Sequence, residues 1–334
     1  MIRVCIAGNS GHAATVTRAL PRLPQVEIAG WCRAWKGEPM TEVLEDFDKL
    51  GLTPPEYPNW QTMLDQANPD VLVVDGLFSD HEEMTCEALA RGIHVYCDKP
   101  LALTLEGLAH VRRAAEQSSA VLWAMQTARY DPWFYTAKCL VDEGAAGEIR
   151  LLTAQKSYRL GQRADFFRHR SLHGGLIPWV AIHGIDFIRY LCPKPVLSVF
   201  ASHSTQANCG YGDLEVTSQL MLTMEGGVCA QVSADYLRPA NAATHGDDRV
   251  RAAGTDGVIE VRGDQVWLIN ADNDGSAPVP LRSCPMIFED FIYTLEGSGT
   301  GLLDLEQSLE DSRLALLARD AADQNRVLDA AHNG

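Results

Sequence analysis

The chain has 334 residues, 46% of them hydrophobic and 22% charged, and its formal net charge is −16 at pH 7. This length is enough for two domains with cores of their own, and the composition is typical of a globular protein. The negative charge argues against nucleic-acid binding, and no apolar run is long enough to span a membrane. Nine scattered cysteines without a C-x-x-C pair, and no signal peptide, predict a cytoplasmic protein with free thiols.

A predicted strand, a glycine turn and a predicted helix follow one another at the N-terminus. The strand is Ile2 to Ala7, and the helix starts at Ala14. In this context the turn matches a dinucleotide-binding fingerprint, in which backbone N–H groups at the helix start hold a pyrophosphate. Ser10 replaces the second glycine of the usual pattern, so an ordinary strand-to-helix turn is the alternative. The candidate cofactor-binding residues are Gly8, Asn9, Ser10, Gly11 and His12.

The end of the second predicted strand bears on the choice of cofactor. This strand, Val26 to Trp31, is followed by Cys32 and Arg33. An acid at this place holds the ribose hydroxyls of NAD, whereas an arginine can accept the 2′-phosphate of NADP. The sequence therefore predicts NADP or NAD, leaning towards NADP. A solvated surface charge is the alternative for Arg33.

Strands and helices alternate over residues 1 to about 120, which predicts a doubly wound parallel sheet. Val71 to Val74 and His94 to Cys97 are two of its predicted strands. The second is followed by Asp98, Lys99 and Pro100, and the proline forces the chain to turn there. A lysine at the carboxyl end of a strand points into the crevice where such sheets bind their ligands. Lys99 is therefore the leading candidate for chemistry.

The sequence resembles the Gfo/Idh/MocA family, the glucose–fructose oxidoreductase and inositol dehydrogenase-like enzymes, over essentially its whole length. The resemblance rests on the glycine turn, on Asp98-Lys99-Pro100, on His81 nineteen residues before the proline, and on Arg129-Tyr130-Asp131-Pro132. The family motif is usually Glu-Lys-Pro, so Asp98 is a mild substitution. The resemblance implies that Lys99 reaches both the nicotinamide and the substrate hydroxyl, and that the Lys99–Pro100 bond is cis. It also adds further candidate cofactor-binding residues, namely Phe78, His81, Asp98 and Lys99.

The resemblance implies a second, α+β domain over residues 121 to 334, with an open, largely antiparallel sheet. In relatives this sheet covers the nicotinamide crevice and often forms the subunit interface, so a homodimer or homotetramer is expected. Residues Thr244 to Arg249 are predicted as a polar loop leading to a turn at Gly254 to Gly257. The predicted strands are Ile149–Tyr158, Leu197–Ser202, Leu214–Met224, Gly227–Tyr236, Val258–Val261 and Gln265–Ile269.

The segment from Gly174 to Asp186 carries the second candidate for chemistry. Pro178 suits the first turn of a helix, and His183 lies on that helix among apolar residues. Spacing alone favours a core histidine, but the resemblance places His183 on the family's catalytic histidine, which exchanges a hydroxyl proton. Most relatives have an aspartate four residues earlier, where this chain has Trp179. That residue could contact the apolar face of a sugar ring or could fill the core.

Residues Lys156 to Arg170 are unusually basic for so acidic a chain. The segment is either a solvated loop or an electropositive wall that matches a carboxylate or phosphate of the substrate. Relatives place substrate-contacting residues at Tyr158 and Arg159. His245, next to Gly246, either reaches the active crevice or a neighbouring subunit, or is an ordinary loop residue. The candidate substrate residues are Tyr158, Arg159, Arg168, Trp179, His183 and His245, and the spacing of histidines predicts no metal site.

These observations predict an NAD(P)-dependent oxidoreductase that transfers a hydride between the nicotinamide and a hydroxyl of a sugar, polyol or sugar acid. Lys99 and His183 are the expected catalytic residues. Two alternatives remain open. One is a lyase or hydrolase with retained NAD that oxidises its substrate transiently, and the other is a non-catalytic sugar-sensing protein on the same scaffold.

Overall fold

The computed structural model describes residues 1–331, and residues 332–334 at the end of the predicted second domain lie outside the described residues. The chain divides into two compact units. The first consists of Met1–Gln126, Ser171–His173 and Pro285–Ser312, and the second of Thr127–Arg170, Gly174–Cys284 and residues 313–331. No helix within residues 1–331 is long and apolar enough to cross a membrane.

The first unit is built on a six-stranded parallel sheet, counted over residues 1–331, in the order β3-β2-β1-β4-β5-β6. This order reverses direction between β1 and β4, which is the point where open α/β sheets bind ligands at their carboxyl edge. The elements are β1 Ile2–Ala7, α1 Ala14–Ala19, β2 Val26–Cys32, α2 Thr41–Leu50, β3 Glu56–Tyr57, α3 Trp60–Ala67, β4 Val71–Val74, α4 His81–Ala90, β5 His94–Cys97, α5 Leu105–Glu116 and β6 Leu122–Ala124.

Several predicted elements of this unit are confirmed to the residue. The strands β1, β4 and β5 have the bounds that the sequence predicts, because their apolar runs are short and a glycine or an aspartate follows each of them. Helix α5 begins after Thr104, whose side chain accepts the N–H of Gly107 at 2.9 Å. Threonine is a favoured N-cap residue, and this bond satisfies an N–H of the first turn.

The second unit is built on an eight-stranded mixed sheet, counted over residues 1–331, in the order β13-β12-β11-β7-β10-β9-β8-β14. Neighbouring strands are antiparallel except for β7 and β10, which run parallel. The remaining elements of the chain are α6 Pro132–Asp142, β7 Ile149–Tyr158, α7 Arg170–His173, α8 Ile182–Leu191, β8 Val196–Ser204, β9 Thr217–Met224, β10 Val228–Asp235, β11 Gly246–Gly254, β12 Gly257–Arg262, β13 Gln265–Asn270, α9 Ile287–Leu295, α10 Leu305–Gln324 and β14 Leu328–Asp329.

Helix α8 packs on one face of this sheet, against β7 and β10. A Cβ atom on Gly184 would lie 2.4 Å from Val232 of β10, so the glycine allows the helix to approach the sheet closely. The segment before the helix differs from the prediction, since residues Ile177–Ala181 form a π-helical turn rather than the first turn of an α-helix. Such turns are rare and occur often at functional sites.

Strand β11 corrects the prediction of a polar loop over Thr244 to Arg249. Its first residues are polar, and this composition conceals the alternation that becomes visible at Val250 and Ala252. Residues Asp248, Val250 and Ala252 face the same side of the sheet as the buried Lys156 of β7, and Asp248 forms an ion pair with its ammonium group. A tertiary ion pair therefore stabilises a strand that local propensity does not favour.

We expect this pair to matter for stability because Lys156 is only 2% exposed. Burial acts to lower its pKa, but Tyr158 and Asp248 outweigh burial and raise the pKa of Lys156. Asp248→Ala leaves a buried ammonium without its carboxylate and should lower the free energy of unfolding by about 3 kcal/mol. Urea denaturation measures this change.

The matched control is Glu260→Ala, which removes the partner of Arg251 in a more exposed pair of the same sheet. Its cost should stay below about 1 kcal/mol. The double variant K156M/D248L, which replaces both charges by apolar groups, should regain most of the lost stability. A loss for Asp248→Ala no larger than for the control would contradict the account.

Candidate functional site

The glycine turn of the first unit leaves no room for side chains at two positions. Gly8 has φ +88°, and a Cβ on it would lie 2.5 Å from the carbonyl oxygen of Asp75. A Cβ on Gly11 would lie 1.7 Å from Oδ2 of Asp98 and 2.9 Å from Oδ1 of Asp75. The turn joins β1 to α1 beside β4, which is where a doubly wound sheet holds a dinucleotide. The backbone of this turn lies close to the carboxyl edge of the sheet, as the binding of a dinucleotide requires.

Asp75, directly after β4, occupies the inner side of this turn. Its carboxylate accepts the N–H of His12 at 3.2 Å and the N–H of Ala13 at 2.7 Å, while its carbonyl accepts the N–H of Ser10. The sequence analysis did not select Asp75. An acid immediately after an apolar parallel strand was the available signal, since that position lies at the ligand-binding edge.

Asp98, directly after β5, is the second buried acid beneath the turn. Its Oδ1 accepts the N–H of Lys99 at 2.8 Å and lies 2.9 Å from Nδ1 of His12. Burial raises the pKa of Asp75 well above the usual value, and the neighbouring Asp98 raises it further. Burial acts on Asp98 in the same direction, but His12 and Lys99 outweigh it and lower the pKa of Asp98.

The loop after β2 brings a third carboxyl group to the turn. Glu38 is 1% exposed, and its carboxylate accepts the N–H of Asn9 at 2.9 Å and the N–H of Ala34 at 2.7 Å. Burial raises its pKa. Arg33 donates to Glu56 at 3.1 Å and to the carbonyl of Glu38, with its guanidinium over the ring of Trp31. The arginine that the sequence analysis selected is thus already bonded to the protein.

Lys99 lies at the bend after β5 and is only 1% exposed. The expected cis bond between Lys99 and Pro100 is confirmed. His81, at the start of α4, fixes the bend because its Nδ1 lies 2.9 Å from the carbonyl oxygen of Pro100. Burial lowers the pKa of His81, so the neutral ring donates this hydrogen bond. Phe78 packs against this ring at 5.5 Å between centroids. Phe78 and His81, both candidate cofactor-binding residues, are therefore buried in the core behind Lys99.

In the second unit, His183 is buried on α8 and Trp179 lies in the π-helical turn before it. Trp179 is 8% exposed, and its ring lies 6.4 Å from that of Phe167. Burial raises the pKa of the nearby Tyr236 to about 12, while Arg163 and Trp179 oppose the rise. Asp186, one turn after His183, forms a buried ion pair with Arg129 at 2.5 Å.

Tyr158, at the end of β7, forms a cluster with His245, at the start of β11. The two rings stack with centroids 5.2 Å apart and planes at 21°. The ammonium group of Lys156, which is paired with Asp248, lies 5.1 Å from the ring centroid of Tyr158. The structure therefore brings the predicted residues Tyr158 and His245 together, although the sequence gives no sign that they meet.

Two arginines of the basic segment join this cluster. Arg159 donates its backbone N–H to the carbonyl of His245 at 3.1 Å, and Arg163 donates to the carbonyl of Arg159 at 3.2 Å. The guanidinium of Arg163 lies 4.6 Å from the ring centroid of Tyr236. Arg168 is placed elsewhere, since it is exposed and donates to Gly210 and Asp165. Arg163, which the sequence analysis did not select, takes the position beside the aromatic cluster.

The charge of these two arginines is not balanced by an acid. Within residues 1–331, neither Arg159 nor Arg163 forms an ion pair, and the buried Nε–H of each has no hydrogen-bond acceptor. Burial lowers the pKa of His245, and Arg163 and Arg159 lower it further. Two guanidinium groups without an acidic partner among the described residues therefore give this cluster positive charge. No group of three His, Cys, Asp or Glu residues within 1–331 is arranged to hold a metal ion.

The two units match two family models. Residues 2–126 match the model described as an oxidoreductase family with an NAD-binding Rossmann fold, and residues 134–260 match that of the GFO/IDH/MocA C-terminal domain. The first unit thus has the NAD-binding Rossmann fold of an oxidoreductase family. The chain belongs to the GFO/IDH/MocA family, which confirms the resemblance read from the sequence.

Individual relatives agree with this assignment. A solved oxidoreductase structure from Thermotoga maritima has a TM-score of 0.94 and 40% identity, covering 98% of this chain and 100% of that one. Levoglucosan dehydrogenase in complex with NADH has the same fold, with a TM-score of 0.81, 18% identity and 99% of each chain covered.

Two curated relatives are more distant in sequence. The chain is 26% identical over 236 residues to the uncharacterized oxidoreductase YrbE of Bacillus subtilis, covering 70% of this chain and 64% of YrbE, slightly under two thirds of its length. It is 23% identical over 270 residues to the inositol 2-dehydrogenase of Rhizobium meliloti, covering 77% of this chain and 78% of that enzyme.

The bond from His81 to Pro100 leads to a prediction about pH. Burial lowers the pKa of His81 below the usual 6.5, so the histidine must release its proton when the protein folds. Above pH 6.5 the unfolded chain is already deprotonated at this position, and folding carries no penalty. Below pH 6.5 the free energy of unfolding decreases as the pH falls. His81→Asn retains a donor near Nδ1 but does not titrate. The free energy of unfolding should therefore fall less steeply below pH 6.5 in this variant than in the wild type.

The control is His110→Asn, because His110 is a half-exposed histidine paired with Glu82. This variant should retain the steep decline of the wild type. Urea denaturation across the acid range measures all three proteins. Parallel curves for the wild type and His81→Asn would exclude the proposed role of burial.

Proposed function

We propose that the protein is a nicotinamide-dependent dehydrogenase acting on a hydroxyl of a sugar, polyol or sugar acid. The observation that carries this proposal is the buried Lys99 at the carboxyl edge of the sheet that holds the glycine turn, in the same unit. Family membership and relatives named as inositol and sugar dehydrogenases support it. Cytoplasmic location remains part of the proposal, supported by the free cysteines within residues 1–331.

The proposed chemistry needs an anion-stabilising group and a proton acceptor. A bound nicotinamide supplies the hydride exchange. Lys99, held by the bend that His81 fixes, binds the substrate hydroxyl oxygen and stabilises negative charge that develops there. His183 accepts the hydroxyl proton, which is a role suited to an imidazole near neutral pH. Gly8, Asn9, Ser10, Gly11 and His12 hold the dinucleotide in this proposal.

For the cofactor we favour NAD over NADP, contrary to the lean that Arg33 suggested. The guanidinium of Arg33 is engaged by Glu56 and Glu38, and so is less available to a 2′-phosphate. The carboxyl group of Glu38 lies at the turn beside Asn9. A carboxyl group there suits the hydroxyls of a ribose better than a further phosphate.

For the substrate we favour a sugar acid. The electropositive cluster of Arg159, Arg163 and His245 adjoins the rings of Tyr158 and Tyr236. Both guanidinium groups donate to backbone carbonyls and not to a carboxylate of the described residues, so their charge can match a carboxylate of the substrate. Aromatic rings match the C–H face of a sugar. The same chemistry would accept a sugar phosphate.

The central test is a panel of acidic and neutral sugars and polyols with NAD and NADP, followed by the absorbance of the reduced nicotinamide. We expect turnover with NAD. Lys99→Met and His183→Asn should each lower kcat/KM by about 10²–10⁴-fold, since each removes a group that acts on the transferred proton or its oxygen. Lys194→Met, which breaks a surface ion pair with Glu148, is the control and should not alter turnover.

Wild-type kcat/KM in Lys99→Met would rule out the proposed mechanism. Turnover of substrate without a change in nicotinamide absorbance, by protein that retains NAD on purification, would favour the lyase or hydrolase alternative. Dinucleotide binding without turnover of any compound, unaffected by Lys99→Met, would favour the sensing protein.

The anionic specificity has a separate test. Arg163→Met should raise KM for an aldonate or uronate about 10–100-fold, as expected for a lost hydrogen bond to a charged group, and leave KM for a neutral sugar unchanged. Arg262→Met is the matched control, because Arg262 also stacks on an aromatic ring, that of Trp267. Wild-type protein that uses neutral sugars as well as acidic ones would contradict this specificity.

Finally, we propose a homo-oligomer formed through the open face of the second sheet. Leu151, Met221 and Ile269 are 45%, 62% and 43% exposed on strands β7, β9 and β13. Such apolar exposure on a broad sheet favours association. Light scattering should show a dimer or tetramer, and Met221→Glu should shift the protein towards the monomer. A monomeric wild type at micromolar concentration would refute this proposal.

A further inference from the structure

Two acids lie side by side beneath the dinucleotide turn, and neither is exposed to solvent. Asp75 follows β4 and Asp98 follows β5, which are adjacent parallel strands, so both side chains reach the same edge of the sheet. Oxygen atoms of both carboxyl groups surround the position that a Cβ on Gly11 would occupy. Two buried carboxylates this close repel one another strongly if both are ionised.

One buried oxygen of this acid pair lacks a hydrogen-bond donor in the described part of the chain. Both oxygens of Asp75 accept backbone N–H groups, from His12 and Ala13. Oδ1 of Asp98 is bonded to the N–H of Lys99 and to His12. Oδ2 of Asp98 is buried, and no N–H or O–H group within residues 1–331 donates to it. A buried acceptor without a donor is costly, and a proton on Asp75 would supply the donor.

We propose that Asp75 and Asp98 share one proton, and that binding of a dinucleotide at the glycine turn is coupled to retention of that proton. The pair then carries one negative charge instead of two below the pyrophosphate. Because the ionised pair repels a bound pyrophosphate more strongly, binding favours the protonated pair. By linkage, the dinucleotide takes up a proton wherever the free protein has begun to lose it. Asp75 acts here as a positioning residue.

Other titratable groups surround the pair. His12 faces Asp98 from the turn, Lys99 follows Asp98 in the chain, and His81 acts on Asp98 from α4. Tyr96 and Cys97 of β5 are buried beside both acids, and burial raises the pKa of each. Of these, His12 is partly exposed and is the alternative source of a proton. The experiment must therefore separate the acid pair from His12.

The first measurement needs no cofactor. The infrared difference spectrum, wild type minus D98N, should contain the carbonyl stretch of one protonated carboxylic acid. In D98N the amide N–H of the new side chain supplies a permanent donor to Asp75 in place of the proton, and other buried acids with raised pKa values, such as Glu38 and Asp131, cancel in the difference. Absence of this difference band would overturn the inference. This result does not depend on the proposed function.

The second measurement rests on the proposed dinucleotide binding. Calorimetric titration with NADH and with ADP-ribose, in buffers of different ionisation enthalpy, measures protons taken up per ligand bound. In the wild type, uptake should rise towards one proton as the pH increases. Affinity should fall by up to tenfold per pH unit over the same range.

D98N should bind without proton uptake, and its affinity should vary little with pH over this range. His12→Gln removes the other titratable side chain at the turn; it should bind the dinucleotide more weakly, but each ligand that binds should still bring a proton with it. Loss of the uptake in His12→Gln, or binding by the wild type without any uptake, would overturn the coupling. If neither ligand binds at any pH, dinucleotide binding itself fails, while the infrared result still decides whether the proton is shared.

Discussion

The first unit depends on the contact between one backbone turn and two buried acids. Gly11 tolerates no side chain because Asp75 and Asp98 fill the space below it, and the N–H groups at the start of α1 are bonded to Asp75. This contact ties the ends of three adjacent strands, β1, β4 and β5, to one another. Lys99 is positioned by the same arrangement, since its N–H is bonded to Asp98. Fold and candidate site therefore share one set of hydrogen bonds.

The second unit uses burial of charge in a different way. The ammonium of Lys156 is neutralised by Asp248 of the adjacent strand, so Lys156 is part of the sheet's core. The next basic residues along the chain, Arg159 and Arg163, have no such acid within residues 1–331. The basic segment is thus not uniform. Its first residue serves the fold, and two later residues leave positive charge beside aromatic rings.

Much of the fold could be predicted because its signals are local. Short apolar runs, each followed by a glycine or an aspartate, were sufficient to predict the strands β1, β4 and β5. Strand β11 could not be predicted, because its Asp-Asp-Arg start becomes favourable only when Lys156 is opposite. The helix α9 lies far along the sequence but packs Phe288 and Phe291 against Tyr96 in the first unit. No local sequence pattern indicates that a helix near residue 290 packs against the N-terminal sheet.

Site residues that belong to a sequence motif could be predicted. Site residues that reach the site only through tertiary contacts could not. Lys99 and the cis bond before Pro100 followed from the motif, whereas Asp75, Glu38 and Arg163 gain their places only through contacts distant in sequence. Arg168 and Arg163 cannot be distinguished by composition. The structure separates them, because Arg168 is exposed and stacks on Tyr211, whereas Arg163 is partly buried and stacks on Tyr236.

The parallel pairing of β7 with β10, within a sheet that is otherwise antiparallel, has a consequence for how specificity can change. It brings the ends of both strands, together with the start of β11, to one side of the second unit. Two separate connecting segments, one after Tyr158 and one between Asp235 and Gly246, therefore lie at this side while the strands behind them keep their register. A lineage could replace these segments one at a time and acquire new substrates without disturbing the nucleotide half of the protein.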